Sequence, residues 1–372
     1  MFSATDHSMM QQAIHLATKG VYTTAPNPNV GCVISLHGEI VGQGFHAKAG
    51  EPHAEVHALK EAGSQAKGAT VYVTLEPCSH YGRTPPCAEA LIKAGVAKVI
   101  CAMVDPNPSV SGRGIAMLKE AGIEVHHGLL EQDARALNPG FIKRMESGKP
   151  FVRLKMAASL DGRTALKNGE SKWITGPKAR QDVQVFRAKS SAILSTSSTV
   201  ITDNASLNVR HAELPNYVQD MLPIQQLRQP LRVILDRQQH LTPDLNLFKT
   251  AYEPLIVHCG LESEQREHVL CMNTVSGGFD LDELLTTLAM HYQVNELWVE
   301  AGATLAASFV EQNAVDELIL YLAPKFMGAD SRGLLNMIGL EKMSEVLELH
   351  ISDVRMVGQD IRITATPIQA KQ

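Results

Sequence analysis

Four residues in the first quarter of the 372-residue chain have the donor types and spacing for metal chemistry. They are His53 and Glu55, then Cys78 directly after Pro77, then Cys87. Zinc takes N and S donors in a tetrahedron, and a catalytic site leaves one position open to water. One imidazole and two thiolates supply three donors. Glu55 is then a non-ligand acid/base, able to take a proton from an activated water and pass it to a leaving amine. Metal binding brings the pKa of water toward neutrality. The set therefore predicts hydrolytic attack on an amidine-like ring carbon with loss of ammonia.

Taken singly, each residue has a plainer explanation. An isolated Cys is usually a small buried hydrophobe, and a lone His at a helix start is usually structural. Jointly, H-x-E after a proline and P-C at a strand end favour the metal. This is the layout of zinc nucleobase deaminases, H-x-E followed by P-C-x-x-C. His57 would share a helix face with His53 and could compete as a ligand. The run is not H-E-x-x-H, so a metalloprotease reading is weak and His57 is read as packing. The segment between the two Cys, Ser-His-Tyr-Gly-Arg-Thr-Pro-Pro, is longer than the usual spacer. It offers His80, Arg83 and Thr84 to something bound at the metal pocket, unless it is only a linker.

The positioning elements follow from pattern. Val30–Leu36 and Glu39–His46 alternate around His37-Gly38 and read as a hairpin. His53–Ala62 has helical spacing just after Pro52. Thr70–Leu75 and Lys98–Val104 read as strands, Ala88–Ala94 and Arg113–Ala121 as helices, and Glu124–His127 as a short strand. This alternation predicts an α/β sandwich. Glu146-Ser-Gly-Lys-Pro150 is a polar Gly/Pro break, which predicts domains at 1–147 and 148–372. In the second, strands are expected at Phe151–Ala157, Ala192–Ser195, Arg232–Leu235, Glu296–Glu300, Glu317–Ala323 and Arg362–Thr366. Helices are expected from Pro177 to about Ala188, over Asp280–His291, and after Gly302. Residues 204–230 read as a long polar loop.

Composition narrows the function. Apolar residues make up 44% and charged residues 20%, with a net charge of −5. That disfavours a nucleic-acid surface, which needs a basic field, but leaves room for small arginine-lined phosphate sites. No run of about 18 uncharged apolar residues exists, which argues against a membrane span. The N-terminus lacks the apolar run of a signal peptide. The cytoplasm is the expected location, where six scattered Cys stay reduced.

The second half carries softer motifs. Lys155-Met-Ala157-Ala-Ser159-Leu-Asp161-Gly162 runs off a strand into a turn. Ser171-Lys-Trp173, Arg187 and Asp203-Asn-Ala-Ser-Leu207-Asn-Val-Arg210 follow. Glu300-Ala-Gly302-Ala303-Thr304 places a turn between strand and helix, where free N–H groups can meet a phosphate. The nearest match to a dinucleotide fingerprint, Gly42-Gln-Gly44-Phe-His-Ala47, leaves a hairpin rather than a βα turn and reads as a decoy.

The string PCSHYGRTPPC, preceded by HAEVHA and Asn27-Pro-Asn-Val-Gly31, resembles the RibD family, the bifunctional deaminase/reductases of riboflavin biosynthesis. The resemblance covers essentially the whole chain. It implies a cytidine-deaminase-like α/β/α sandwich followed by a dihydrofolate-reductase-like α/β domain. It implies Zn2+ on His53, Cys78 and Cys87, with Glu55 as proton shuttle. Asn27 and the Cys78–Cys87 loop, including His80, Arg83 and Thr84, would contact the substrate, and Arg113 could add to its phosphate site. In the second domain it implies NADPH at Ala157, Trp173, Thr199, Asp203 and the loop Gly302, Ala303, Thr304, Leu305, Ala306, Ala307 and Ser308. Ser171, Arg187, Leu207, Arg210 and Glu300 fall on substrate-contacting positions, with Arg187 and Arg210 suited to a phosphate. Lys155 is placed near the reacting ribose carbon. Two departures stand out: Ser195–Thr199 is Ser/Thr-rich where the family has glycines, and Ala301 replaces a glycine. Ala takes positive φ less readily than Gly, which leaves room for a differently shaped cofactor loop.

The expected activity is zinc-dependent hydrolysis of the 2-amino group of a 2,5-diamino-6-(5-phosphoribosylamino)pyrimidin-4-one. NADPH reduction of the ribosyl group follows. The expected partner is this small phosphorylated pyrimidine, without nucleic acid or membrane, in a homo-oligomer. Two alternatives compete. One is a zinc deaminase of a nucleoside or tRNA base with a non-catalytic C-terminal binding domain. The other is a structural zinc site, which three ligands and a spare Glu55 argue against.

Overall fold

The computed structural model describes residues 2–81, 85–259, 268–272, 274–275 and 278–368. The chain divides into two compact units, 1–148 and 149–372. The first holds α1 (Ala4–Ala17), β1 (Gly31–Leu36), β2 (Glu39–Phe45), α2 (Ala54–Ala62), β3 (Thr70–Val73), α3 (Cys87–Ala94), β4 (Lys98–Cys101), α4 (Arg113–Glu120), β5 (Glu124–His127), α5 (Glu131–Ala136) and α6 (Pro139–Ser147). Its strands form one sheet in the order β2-β1-β3-β4-β5. β1 is antiparallel to both neighbours, and β3, β4 and β5 run parallel.

Side-chain alternation divides this sheet into two buried faces. Ile34, Val71, Val73 and Val99 pack with Ala54, Ala58, Leu91 and Leu118 from α2, α3 and α4. Val33, Tyr72 and Ile100 face the other way, against Met10, Ala13, Leu16, Ala134 and Ile142 of α1, α5 and α6. The result is the expected α/β/α sandwich. Helix α1, absent from the pattern reading, starts on a capping box: Asp6 N donates to Ser3 Oγ at 3.1 Å, and Ser3 N donates to Asp6 at 2.8 Å.

Two glycines let α2 lie on β2. A Cβ at Gly42 would stand 2.2 Å from the Ala58 carbonyl oxygen, and one at Gly44 would stand 2.5 Å from that of Ala54. The Gly42-Gln-Gly44 run therefore serves helix-on-strand packing and no nucleotide.

The second unit begins with β6 (Phe151–Ser159), β7 (Arg163–Ala165), α7 (Pro177–Lys189), β8 (Ala192–Thr196), α8 (Ser197–Asp203), α9 (Asn216–Met221), β9 (Leu231–Leu235), β10 (Leu255–Cys259) and β11 (Val269–Met272). Two-residue strands β12 (Thr274–Val275) and β13 (Gly278–Phe279) follow. Then come α10 (Leu281–His291), β14 (Glu296–Glu300), α11 (Ala303–Glu311), β15 (Glu317–Ala323), the short β16 (Arg332–Gly333), β17 (Leu349–Val357) and β18 (Asp360–Pro367). The main sheet runs β11-β10-β9-β8-β14-β6-β15-β18-β17. It is parallel from β11 to β15, with β18 and β17 antiparallel at the edge. One face packs Leu154, Leu194, Val233 and Val299 against α10 and α11. The other packs Ile193, Ile234, Trp298 and Tyr321 against Ala179 and Val183 of α7 and Val200 of α8.

The polar segment after Asp203 is more ordered than its composition suggests. Val209, Leu214, Val218 and Leu222 are buried. Arg232 reaches back from β9 to donate to the carbonyls of Ser206 and Leu247 at 3.0 and 2.6 Å. Among the described residues no helix is long and apolar enough to cross a membrane.

Candidate active sites

The metal candidates converge at the open ends of three elements. His53 is the residue on which α2 begins, and its side chain makes no capping hydrogen bond. Cys78 lies on the turn leaving β3. Cys87 opens α3, where a helix N-terminus favours a thiolate. The ligand atoms of His53, Cys78 and Cys87 all lie within 4.8 Å of one another. His53 Nδ1 stands 3.6 Å from Cys78 Sγ and 3.4 Å from Cys87 Sγ. Bonds of about 2.3 Å to sulfur and about 2.1 Å to nitrogen would give tetrahedral edges of about 3.6 Å, so the donor set fits zinc. The main chain fixes the pair: Cys87 N donates to Cys78 Sγ at 3.3 Å, and Ala88 N to the Cys78 carbonyl at 3.2 Å.

The contact between the two thiols lowers Cys78 and raises Cys87. Glu55, 3% exposed, sits in the first turn of α2 with Oε2 lacking any hydrogen-bond partner. Burial lifts its carboxyl to about 6, against the pull of His53. An orphaned buried carboxylate oxygen beside an N,S,S donor set is what an acid/base for a bound water requires.

Around this centre, Asn27 Nδ2 lies 3.1 Å from His46 Nε2, and His46 Nδ1 lies 3.2 Å from the Pro52 carbonyl. Its bond to Pro52 makes Nδ1 the donor, so Asn27 donates to Nε2. Pattern reasoning did not single out His46; its place at the end of β2, before the Pro52–His53 turn, is the only cue. His80 is exposed. Arg83 and Thr84 lie outside the described residues. Arg113 is exposed at the start of α4, whose N-terminal N–H groups are already taken by Glu76. His57 lies half-buried with Nε2 unpartnered.

In the second unit the candidates gather at the carboxyl ends of the parallel strands, where ligands bind in open α/β sheets. Lys155 and Glu300 are register neighbours on β6 and β14. Arg187 donates from Nε and Nη2 to both Glu300 oxygens at 2.6 and 2.9 Å, and from Nη1 to the Asn208 carbonyl at 3.0 Å. Trp298 Nε1 donates to Glu300 at 2.8 Å. Burial would raise the Glu300 carboxyl, but the Arg187 charge reverses this and holds it at about 2. Burial lowers the Lys155 ammonium, with Glu300 opposing.

Other candidates are placed unequally. Leu207 is buried in the core beneath α7 with φ +51°, so its side chain packs inward and is not presented to a ligand. Arg210 is exposed and pairs with Glu213 at 2.8 Å. Ser171 is half-buried and Trp173 65% exposed, with the Arg180 guanidinium 4.5 Å over its ring. Asp203 pairs with Lys172 at 3.4 Å. Thr199 N donates to Thr196 Oγ1 at 3.2 Å, so the Ser/Thr-rich run makes a capped helix start.

From Gly302 to Ser308 only the front is open. Ala306 and Ala307 are buried, and Leu305 packs on the core. Gly302 begins α11 without a side-chain cap, and a Cβ there would meet nothing within 4 Å. That leaves first-turn N–H groups free for a dinucleotide phosphate. With Ala157 half-buried at the end of β6, this open edge fits NADPH. Ala301 takes no left-handed conformation, so alanine sits at this position without backbone strain.

Two protein-family models match the chain: the cytidine and deoxycytidylate deaminase zinc-binding region over residues 3–103, and the RibD C-terminal domain over 150–363. The riboflavin biosynthesis protein RibD of Escherichia coli is 50% identical over 361 residues, covering 96% of this chain and 98% of that one. RibD of Haemophilus influenzae is 52% identical over 373 residues, covering 98% of each. The solved structure of Acinetobacter baumannii RibD superposes with a TM-score of 0.90 at 48% identity, over 98% of this chain and 99% of that one. A diaminohydroxyphosphoribosylaminopyrimidine deaminase/5-amino-6-(5-phosphoribosylamino)uracil reductase from Thermotoga maritima does so with a TM-score of 0.83 at 32% identity, over 98% and 99%. With both halves matched and full-length relatives at this identity, the chain belongs to the RibD family.

Proposed function

We propose that the two sites act in sequence on one phosphorylated pyrimidine. The first unit removes the 2-amino group of 2,5-diamino-6-(5-phosphoribosylamino)pyrimidin-4-one. The second reduces the ribosyl group with NADPH to give 5-amino-6-(5-phosphoribitylamino)uracil. The observation that carries this is the convergence of His53, Cys78 and Cys87 beside the unpartnered Glu55 Oε2.

When bound, zinc supplies Lewis acidity that makes water nucleophilic near neutral pH, and NADPH supplies a hydride. Glu55, poised at about 6, takes the proton from the attacking water and passes it to the departing amine. Ammonia leaves and a ring carbonyl remains. Asn27, oriented by His46, contacts the ring. In the second unit the half-buried Lys155 stands beside the reacting sugar carbon, where an amine of lowered pKa can move a proton. Glu300 holds Lys155 and Arg187 together at the strand ends. Arg210, on the surface, is the arginine free to exchange Glu213 for a phosphate.

All six cysteines are free, in keeping with a reducing cytoplasmic location. The expected homo-oligomer is assigned to β17, whose Ile351, Val354 and Met356 are 54%, 59% and 63% exposed on an edge strand of the kind proteins usually protect. Light scattering reads that directly, and a monomer mass would remove it. Matched assays of ammonia release test the first site. The phosphoribosylamino-pyrimidine should be turned over and cytidine should not; the reverse would favour a nucleoside deaminase.

A further inference from the structure

We propose that Glu76 is a positioning residue of the zinc site, holding Cys78 and the Asp105–Gly112 loop in one fixed relation. This deepens the deaminase reading and rests on the assignment of His53, Cys78 and Cys87 to zinc.

Glu76 is 3% exposed, two residues before Cys78, and its carboxylate accepts four main-chain N–H groups. Oε2 takes Asp105 N at 3.1 Å and Gly112 N at 2.9 Å; Oε1 takes Gly114 N at 2.9 Å and Ile115 N at 3.2 Å. Charge-assisted bonds of this kind are about twice as strong as neutral ones, and the N-terminus of α4 adds its dipole. One oxygen therefore gathers both ends of the loop that runs from Asp105 to Gly112. Backbone contact locks the same joint. A Cβ at Gly114 would stand 2.0 Å from the Pro77 carbonyl oxygen, so α4 abuts the residue directly before the ligand. On its other side Cys78 is tied to α3 through Ala88 N and Cys87 N. Cys78 thus sits between two anchors, and Glu76 is the upstream one. A cap for α4 could have come from a residue at its own start. Taking it from the turn that carries a zinc ligand couples that ligand to the loop beside it.

The test uses the full-length chain with Zn2+ or Co2+ as the probe. Glu76→Gln places an NH2 where N–H donors point. It should weaken zinc in a chelator competition by about 10–100-fold, the range for groups that orient metal ligands, and shift the visible spectrum of the cobalt-loaded chain. NADPH oxidation on the deaminated substrate should stay unchanged, reporting an intact second unit. Wild-type zinc affinity and an unaltered cobalt spectrum would overturn the proposal. So would the same spectral shift in Leu118→Ala, which loosens α4 through its core face, because the effect would then be stability alone. If Glu76→Gln does not fold, Glu76→Asp, which keeps the charge and loses reach, is judged by the same outcomes. A wild-type chain that takes up no cobalt would overturn the zinc assignment itself and this proposal with it.

Discussion

Arg187 and Glu300 close a bidentate pair at the carboxyl edge of the second sheet, with N–O distances of 2.6 and 2.9 Å. Their side chains are only 10% and 14% exposed. Such a pair is held by mutual need: each partner alone is a buried, uncompensated charge. Arg187→Met should therefore cost about 3–5 kcal/mol in the unfolding of the second unit and abolish NADPH oxidation, read by denaturant titration and by absorbance.

The same pair sets a pH dependence. The Glu300 carboxyl is held at about 2, below its ordinary 4.5. A depressed carboxylate stabilises above its unfolded value and loses that contribution as pH falls toward the folded one. The stability advantage of wild type over Glu300→Gln should be full at pH 6 and shrink steadily below about pH 4.5. A difference independent of pH would contradict it.

Gly44→Ala tests how the first site is held. The new Cβ would meet the Ala54 carbonyl at 2.5 Å, between His53 and Glu55. Overpacking against backbone costs about 1–3 kcal/mol, and the helix that must move carries both residues. The melting temperature of the first unit and its zinc affinity should fall together.

Removal of the metal should separate the two activities. Chelation, or Cys87→Ser, should stop ammonia release, while NADPH oxidation on supplied deaminated substrate continues. Metal analysis by mass spectrometry and re-addition of Zn2+ check the cause.

Much of this was legible in the sequence because chemistry and pattern coincided. H-x-E after a proline and P-C at a strand end located the first site, since zinc restricts donor type and spacing. Alternation marked the β1–β2 hairpin and short apolar, β-branched runs marked other buried strands, but β10 and β11 were not picked out. Other features lay beyond pattern. β17 is exposed along most of its length and bulged between Ile351 and Asp353, so no two-residue rhythm marks it. The pairing of Arg187 with Glu300 joins residues far apart in sequence, and nothing local told a phosphate-binding arginine from a buried ion pair. The clamp on Glu76 depends on main-chain N–H groups, which every residue carries and no motif shows. Likewise the Gly302–Ser308 stretch reads as one loop, though only its first residues stay open once Ala306 and Ala307 enter the core.

The most direct test supplies the diaminopyrimidine phosphate to wild type and to Glu55→Gln, with and without NADPH, following ammonia and the cofactor absorbance together. Wild type should release ammonia without NADPH, and with it should oxidise one NADPH per ammonia. Glu55→Gln should lose about 10²–10⁴-fold in ammonia release while keeping zinc and still oxidising NADPH on deaminated substrate. Undiminished ammonia release by a zinc-loaded Glu55→Gln chain would contradict the account.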